Sequence, residues 1–306
     1  ARQLCWKPRW EPRGKGHEPV GMLIQTLING VLRSGLYAIT SLGLALCVGV
    51  LGLINFSHGE LLMLGSFLGY FMFTGAGIDP LLTLPIAAVL LFALNALIYK
   101  AFISRTLDAP EMNRMLLTFG LSVIIQNLAL ILFRGDPRAI TPVYRSITVS
   151  LGPISIGLGR IITYAVALIM VLAVYAILAK TRFGKAMRAV SQNREGAAMV
   201  GVNVDSIYML AFGLAGALAG MAGVMLSAIL YAHPFLGMEF TLKALSTVVL
   251  AGLGNVTGVL LASVLLGTAE AIVGTYVPSG SAIADAVFFI LILLVLIFKP
   301  EGLSRR

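Results

Sequence analysis

Charge is the scarcest property of this chain: 11% of its 306 residues are Asp, Glu, Lys or Arg, against about 25% in soluble domains. The helices of a soluble fold need a polar face, and long stretches here have none to offer, so a soluble globular fold is excluded. Cysteine is almost absent. Cys5 and Cys47 are the only two, and they form neither a disulfide framework nor a metal-ligand spacing. The three histidines, His17, His58 and His233, have no second His or Cys at ligand spacing, so no metal is expected. No Gly-x-x-x-x-Gly-Lys-Ser/Thr run occurs, and none of the 33 glycines stands in a dinucleotide fingerprint. The chain is therefore expected to bind no cofactor and to hydrolyse no ATP by itself. Nothing resembles a nucleophile turn, so no catalytic residue is assigned and the chain is not read as an enzyme.

What is present is apolar: 58% of residues are hydrophobic and the mean hydropathy is +0.96. They come in blocks, several reaching the roughly 18–20 residues that span a bilayer. The fold class is an all-α integral membrane protein with eight to ten membrane segments, some broken or re-entrant. Residues 1–21 form a polar basic tail, read either as a cytoplasmic tail or as an over-extended reading frame with Met22 as the native start. Residues 22–303 form a single transmembrane domain. Block 22–54 would be roughly 50 Å long as one helix, so it is expected to make one crossing and part of another, joined near Gly30, Gly35 or Gly43. Further spans are read at 61–77, 81–98, 115–133 (interrupted by Gln126-Asn127), 161–179, 207–231 and 282–298. Block 243–276 is again overlong and breaks at Gly252-Leu-Gly-Asn255. Loop 134–160 alternates apolar residues around Gly152-Pro153, which predicts a hairpin.

The stretch Gly52-Leu-Ile-Asn-Phe-Ser-His-Gly-Glu60 is a polar break between apolar blocks. It either sits at the membrane surface or interrupts a helix inside it. Gly252-Leu-Gly-Asn255-Val-Thr257-Gly258 echoes it, and paired interruptions of this kind mark transporters built from repeated halves. A two-fold internal repeat is therefore expected. Asn55, Ser57, His58, Glu60, Gly254 and Asn255 are assigned to the translocation pathway or to helix breaks. The intramembrane ionisable residues Glu60, Glu270 and Asp285, with Arg33 and Lys243 nearer segment ends, have two readings. They are relays of an ion-coupled carrier, or Glu60 and Lys243 lie at the interface and the others bond between helices; the second is preferred.

Loops 100–114 and 180–205 must share a side, because two spans separate them. They hold eight Lys and Arg against four in loop 134–160, which places them and the C-terminus in the cytoplasm. The net charge of +9 thus reflects cytoplasmic loops facing anionic lipid, not nucleic acid. Within loop 180–205, Asn193 caps a short helix, Glu195 occupies its first turn and Gly201 closes it. That helix exposes Arg194, Glu195, Ala197 and Ala198 to a partner. Gly213, Gly216, Gly220 and Gly223 make the following span a packing helix, its partner lying in this chain or in another subunit.

Ile54-Asn-Phe-Ser-His-Gly-Glu60 with Met63-Leu-Gly65 resembles the signature of LivH-type permeases of branched-chain amino acid ABC importers. Arg188-Ala-Val-Ser-Gln-Asn-Arg-Glu-Gly-Ala-Ala-Met-Val-Gly-Val-Asn203 resembles their coupling loop, and Ala251-Gly-Leu-Gly-Asn255 and Leu296-x-x-Lys-Pro-Glu-Gly302 fit as well. The resemblance runs in order over about residues 22–303. It implies a bacterial inner-membrane, multi-pass permease that translocates leucine, isoleucine and valine. Urea, short amides and other amino acids are alternative substrates, and an ion-coupled secondary carrier is the alternative class. The implied partners are a LivM-type second permease, two cytoplasmic ATPase subunits that carry ATP and Mg, and a periplasmic binding protein. The resemblance implies that Arg194, Glu195, Ala197, Ala198 and Gly201 couple to the ATPase. The loop departs from the general importer pattern at Gly196, which replaces the first Ala of Glu-Ala-Ala, and no Leu-Pro follows Gly201. Selectivity is expected to rest on the binding protein, leaving few strong substrate contacts in this chain.

Overall fold

The computed structural model describes residues 19–151, 154–277 and 280–298. Residues 1–18 of the polar tail, the Gly152-Pro153 turn, the Lys299-Pro-Glu-Gly302 motif and the side chain of Asp285 lie outside them. In chain order the elements are α1 Pro19–Leu51, α2 His58–Ala76, α3 Pro80–Ala101, a 3-10 turn Ile103–Thr106, α4 Glu111–Phe133 and the single turn α5 Val143–Ser146. The antiparallel strands β1 Thr148–Leu151 and β2 Ile154–Gly157 follow, then α6 Leu158–Lys180, α7 Arg182–Gln192 and α8 Arg194–Met199. The chain continues through α9 Val204–Ile229, α10 Leu236–Ala251, α11 Val256–Tyr276 and α12 Gly280–Phe298. Among the described residues six helices are long and apolar enough to cross a membrane: α1, α3, α4, α6, α9 and α11. The two strands form the expected hairpin, pairing Thr148 with Gly157 and Leu151 with Ile154.

α1 corrects the expectation of a join. It is one helix of 33 residues, and its glycines serve packing instead of breakage. A methyl group on Gly30 would fall 2.7 Å from the Thr268 Cα, on Gly35 2.9 Å from the Tyr164 Cα, and on Gly43 2.7 Å from the Ala215 carbonyl oxygen. In lipid an opened backbone bond has no water to turn to, so small residues bring helices together more cheaply than they bend them. α4 is likewise unbroken at Gln126-Asn127, and the Asn127 side-chain amide donates to the Val123 carbonyl at 2.7 Å.

α9 is the centre of the bundle and is buried over most of its length. Its glycines meet neighbours in this chain: Gly213 faces Phe92, Gly216 faces Asn95 and Leu91, Gly220 faces Leu91, and Gly223 faces Leu62 and Ser66. The packing partners are thus α3 and α2. Asn95 donates to the Phe212 carbonyl across the same seam. At its end, the buried Tyr99 hydroxyl donates to Asp205 at 2.7 Å. Tyr99→Phe is expected to lower stability by about 1.5–3 kcal/mol, the worth of a hydrogen bond to a charged group, measured by thermal unfolding in detergent. An unchanged transition would assign no stabilising role to that bond.

Two faces of the bundle follow from these contacts. Arg194 pairs with Asp108 at 2.8 Å, so loops 100–114 and 180–205 share a side, as parity requires. Here this is the α8 face. On the opposite, hairpin face, Gln25 exchanges two hydrogen bonds with Ser155, at 2.8 and 2.9 Å, and Arg138 forms a bridge with Ala232. α1 therefore starts on the hairpin face. Three of the four arginines in loop 134–160 are anchored there: Arg138 on the Phe133 carbonyl at 2.6 Å, Arg145 on those of Ile140 and Leu230 at 2.5 and 3.2 Å, and Arg160 on Asn29 at 3.2 Å. They hold the loop against helix ends, which explains a basic loop opposite the more basic face.

Candidate functional site

The break after α1 lies inside the bundle. Gly52, at φ +60°, turns the chain back, and residues 53–57 run alongside α1 until α2 begins. His58 Nε2 then meets the Thr40 carbonyl at 2.9 Å. Thr40 precedes Leu51 by eleven residues, so α2 starts about 16 Å back along α1. Asn55 Oδ1 accepts from the Ser57 amide at 3.1 Å and from its hydroxyl at 2.7 Å. The Thr40 carbonyl can only accept, so Nε2 carries the imidazole proton. Glu60 accepts from Ser122 at 3.0 Å, and its carboxylate packs on Gly237, where any side chain would collide. Asn55, Ser57, His58 and Glu60 are all buried. That corrects the reading of Glu60 as an interfacial residue: it sits between α2, α4 and α10. Asn55 Nδ2, His58 Nδ1 and Glu60 Oε2 have no partner among the described residues.

The second break has the same local construction. Gly252 has φ +95°, and Asn255 Oδ1 accepts from the Thr257 hydroxyl at 2.7 Å and from the Gly258 amide at 3.0 Å. Glycine at positive φ followed three residues later by an Asn whose Oδ1 accepts from the hydroxyl two residues on recurs at both sites; Asn255 is also the N-cap of α11, whereas α2 is headed by Ser57. The breaks adjoin: a methyl on Gly49 would fall 3.0 Å from the Gly254 Cα. Gly254 and Asn255 line a cleft beside α7, with Arg188 and Ser191 on its other wall. A third interruption falls at His233-Pro234, after the 207–231 span, where the sequence also reads a short turn. Residues 230–235 separate α9 from α10, so α10 starts well before the expected 243, and Lys243 lies within it instead of near a segment end.

That third break borders a cavity of about 500 Å³, in the range of small-molecule sites. Arg33, Tyr37, Arg160, Glu239, Lys243 and Glu270 supply its polar wall. Arg33 pairs with Glu270 at 3.2 Å, Tyr37 donates to Glu270, and Lys243 pairs with Glu239 at 2.8 Å. Glu270 is thus bonded between helices, as expected. Neither this cavity nor the cleft is lined by Asn55, Ser57, His58 or Glu60. The ionisable residues were visible in the sequence; Arg160 and Glu239 carried no signal there, because nothing local shows which helix ends converge.

On the α8 face the short helix forms as expected. Asn193 Oδ1 accepts from the Gly196 amide at 2.8 Å, Glu195 sits in the first turn, and Gly201 closes the helix at φ +84°. Arg194, Glu195 and Ala198 are exposed. Ala197 is not: it is 4% exposed and belongs to the core, which corrects its assignment to an outward face. One helical face must rest on the bundle, and the small Ala197 fits it. Met199 and Val200, 85% and 79% exposed, are instead the apolar residues turned outward. Asp108 holds the Arg194 guanidinium above its ordinary pKa, chiefly through their hydrogen bond, so Arg194 stays charged.

Six helices long and apolar enough to cross a membrane, with breaks inside the bundle, a polar cavity toward one face and a short exposed helix on the other, mark a multi-pass membrane protein. The profile of the family described as "Branched-chain amino acid transport system / permease component" matches residues 26–296, and the chain belongs to that family. It is 29% identical over 297 residues to the high-affinity branched-chain amino acid transport system permease protein BraD of Pseudomonas aeruginosa, covering 92% of this chain and 96% of that one. It is 28% identical over 297 residues to the LivH protein of the same description from Escherichia coli, with the same coverage of 92% and 96%. More distantly, it is 28% identical over 260 residues to the ribose import permease protein RbsC of Bacillus subtilis, covering 81% of this chain and 74% of that one. No solved structure matches it.

Proposed function

We propose that this chain is the membrane-spanning permease subunit of an ATP-driven importer of leucine, isoleucine and valine. The observation that carries this reading is the family match across the whole described bundle, with an outward-turned helix at the position of the coupling loop. In this reading ATP and Mg act on two cytoplasmic ATPase subunits. A LivM-type permease completes the pathway, and a periplasmic binding protein delivers the substrate to the hairpin face. Closure of the ATPase pair displaces α8, and the closely packed α9, α3 and α2 transmit that movement as rigid bodies.

The α8 face is the cytoplasmic one, by its excess of Lys and Arg and because three of the four arginines opposite are structural anchors. In this reading the chain has nine membrane segments: the six long helices with α2, α10 and α12. α1 then starts outside and α12 ends inside, so a cytoplasmic N-terminal segment and a cytoplasmic C-terminus exclude each other. The matching glycine-and-asparagine breaks support a two-fold repeat in which α1–α3 corresponds to α10–α12.

Reconstitution with ATPase subunits and binding protein is expected to give ATP-dependent uptake of branched-chain amino acids. Uptake that survives removal of the ATPase subunits and collapses with an uncoupler would favour an ion-coupled carrier instead. Orientation is checked with single cysteines in a background with Ala at positions 5 and 47. An impermeant thiol reagent added to cells with a permeabilised outer membrane is expected to label Ser150→Cys and to spare Ala198→Cys. The reverse pattern would invert the topology.

A further inference from the structure

The large cavity holds both signs of charge where either alone is costly. An ionisable group within a membrane bundle is normally paired or faces an aqueous site, and here the lining carries Arg33, Arg160, Lys243, Glu239 and Glu270 together. Two of these are committed to the fold. Glu270 is 4% exposed in its side chain, bonded to Arg33 and to the Tyr37 hydroxyl, and Lys243 is 13% exposed, pairing with Glu239. The other three keep unused capacity. Arg33 remains 51% exposed, and its guanidinium has five N–H donors. Arg160 bonds the neutral Asn29 and meets no carboxylate among the described residues. Glu239 is 45% exposed.

Their placement is directional. Asn29 and Arg33 lie one turn apart on α1, so the Arg160 and Arg33 heads converge on one wall. Glu239 stands on α10, with Leu236 and Phe240 beside it. Leu32, Leu36, Ile229 and Leu230 complete an apolar lining. Arg160, Tyr231 and Thr275 line the cavity, and their neighbours belong to the hairpin face, so the cavity lies toward that face.

From this geometry we infer that the cavity is an amino-acid site within the permease itself: Arg160 and Arg33 hold the α-carboxylate, Glu239 accepts from the α-ammonium, and the leucine-lined wall takes an aliphatic side chain. The inference rests on the importer reading and deepens it. It departs from the expectation that selectivity rests mostly on the binding protein, with few strong substrate contacts in this chain. A zwitterion matches both signs at once, whereas a simple anion would meet Glu239 and a simple cation would meet the two arginines. An aliphatic side chain suits walls that offer it no hydrogen bond.

The test uses the complete permease–ATPase complex in lipid nanodiscs, loaded with diazirine-bearing photo-leucine through the binding protein. Crosslinks in this chain are mapped by mass spectrometry. They are expected within residues 29–37 and 229–243, to be displaced by leucine, and to persist with isovalerate or isoamylamine, each of which lacks one charge. Arg160→Gln and Glu239→Gln should each reduce labelling roughly tenfold or more, in keeping with the loss of a charged hydrogen bond. Crosslinks confined to other segments, equal labelling in both variants, or displacement by either single-charge analogue would overturn the site. If a variant does not assemble, the wild-type map and the competition decide. Leucine uptake by the wild-type complex separates the two readings. No uptake sinks the importer assignment and this site with it; uptake without labelling of the cavity sinks the site alone.

Discussion

Gly223→Val is expected to cost about 3 kcal/mol, the upper end of overpacking penalties, and to lower sharply the yield of folded protein. Gly223 sits where α9 crosses α2. A Cβ there would collide with the Leu62 carbonyl oxygen and come within 2.7 Å of the Ser66 amide nitrogen. Both are backbone atoms, so no rotamer change can relieve the clash and the helices must separate. Separation removes contacts along the whole seam, because interiors are packed to near crystal density. Gly75→Ala is the control: nothing lies within 4 Å of a Cβ at that position, and replacing a helical glycine gains up to about 1 kcal/mol. Thermal unfolding of the detergent-purified protein distinguishes them. Equal transitions for Gly223→Val and wild type would show that α9 and α2 are not held as closely as described.

Met199→Asp combined with Val200→Asp is expected to weaken ATPase-subunit binding by about 2–4 kcal/mol, the range of interface hot spots, or roughly 30- to 700-fold in affinity. The two side chains project at the closed end of α8, beyond the ion pair of Arg194 with Asp108. Exposed apolar residues on a polar face mark an interaction surface, and a carboxylate there would have to be desolvated without a partner. Neither residue supports the bundle, so the permease itself should fold normally. Ala197→Leu makes the opposite case: Ala197 is buried, and enlargement there should destabilise the permease before it affects docking. Titrating ATPase subunit onto permease in nanodiscs, alongside thermal unfolding, separates the two. Unchanged affinity in the double variant would remove Met199 and Val200 from the docking surface.

How far each feature was legible depends on the range of the interaction that creates it. The Asn193 cap, the close at Gly201, the hairpin in loop 134–160 and the break at 252–255 were readable, because each is made by residues within a few positions of one another. The continuity of α1 was not. Gly30, Gly35 and Gly43 look the same in sequence whether they break a helix or admit a neighbour, and the choice lies with Thr268, Tyr164 and Ala215 on other helices. Ala197 was misplaced for a similar reason. A six-residue helix is too short for its periodicity to reveal which face meets the bundle.

By itself, then, the sequence determined that this is a helical membrane protein, that it breaks at 52–60 and at 252–255, which loops share a face and to which family it belongs. Hydropathy, local capping and the parity of crossings are properties of the chain read in one dimension. Only the tertiary structure decided that the first break turns back beside α1, that the four glycines of α9 meet α2 and α3, and that Arg33, Arg160 and Glu239 line one cavity. Those facts depend on contacts between separate helices, 18 positions apart for Thr40 and His58 and more than 100 for Asn29 with Arg160 and Arg33 with Glu270, and in a bundle of uniformly apolar helices hydropathy does not say which helix lies next to which.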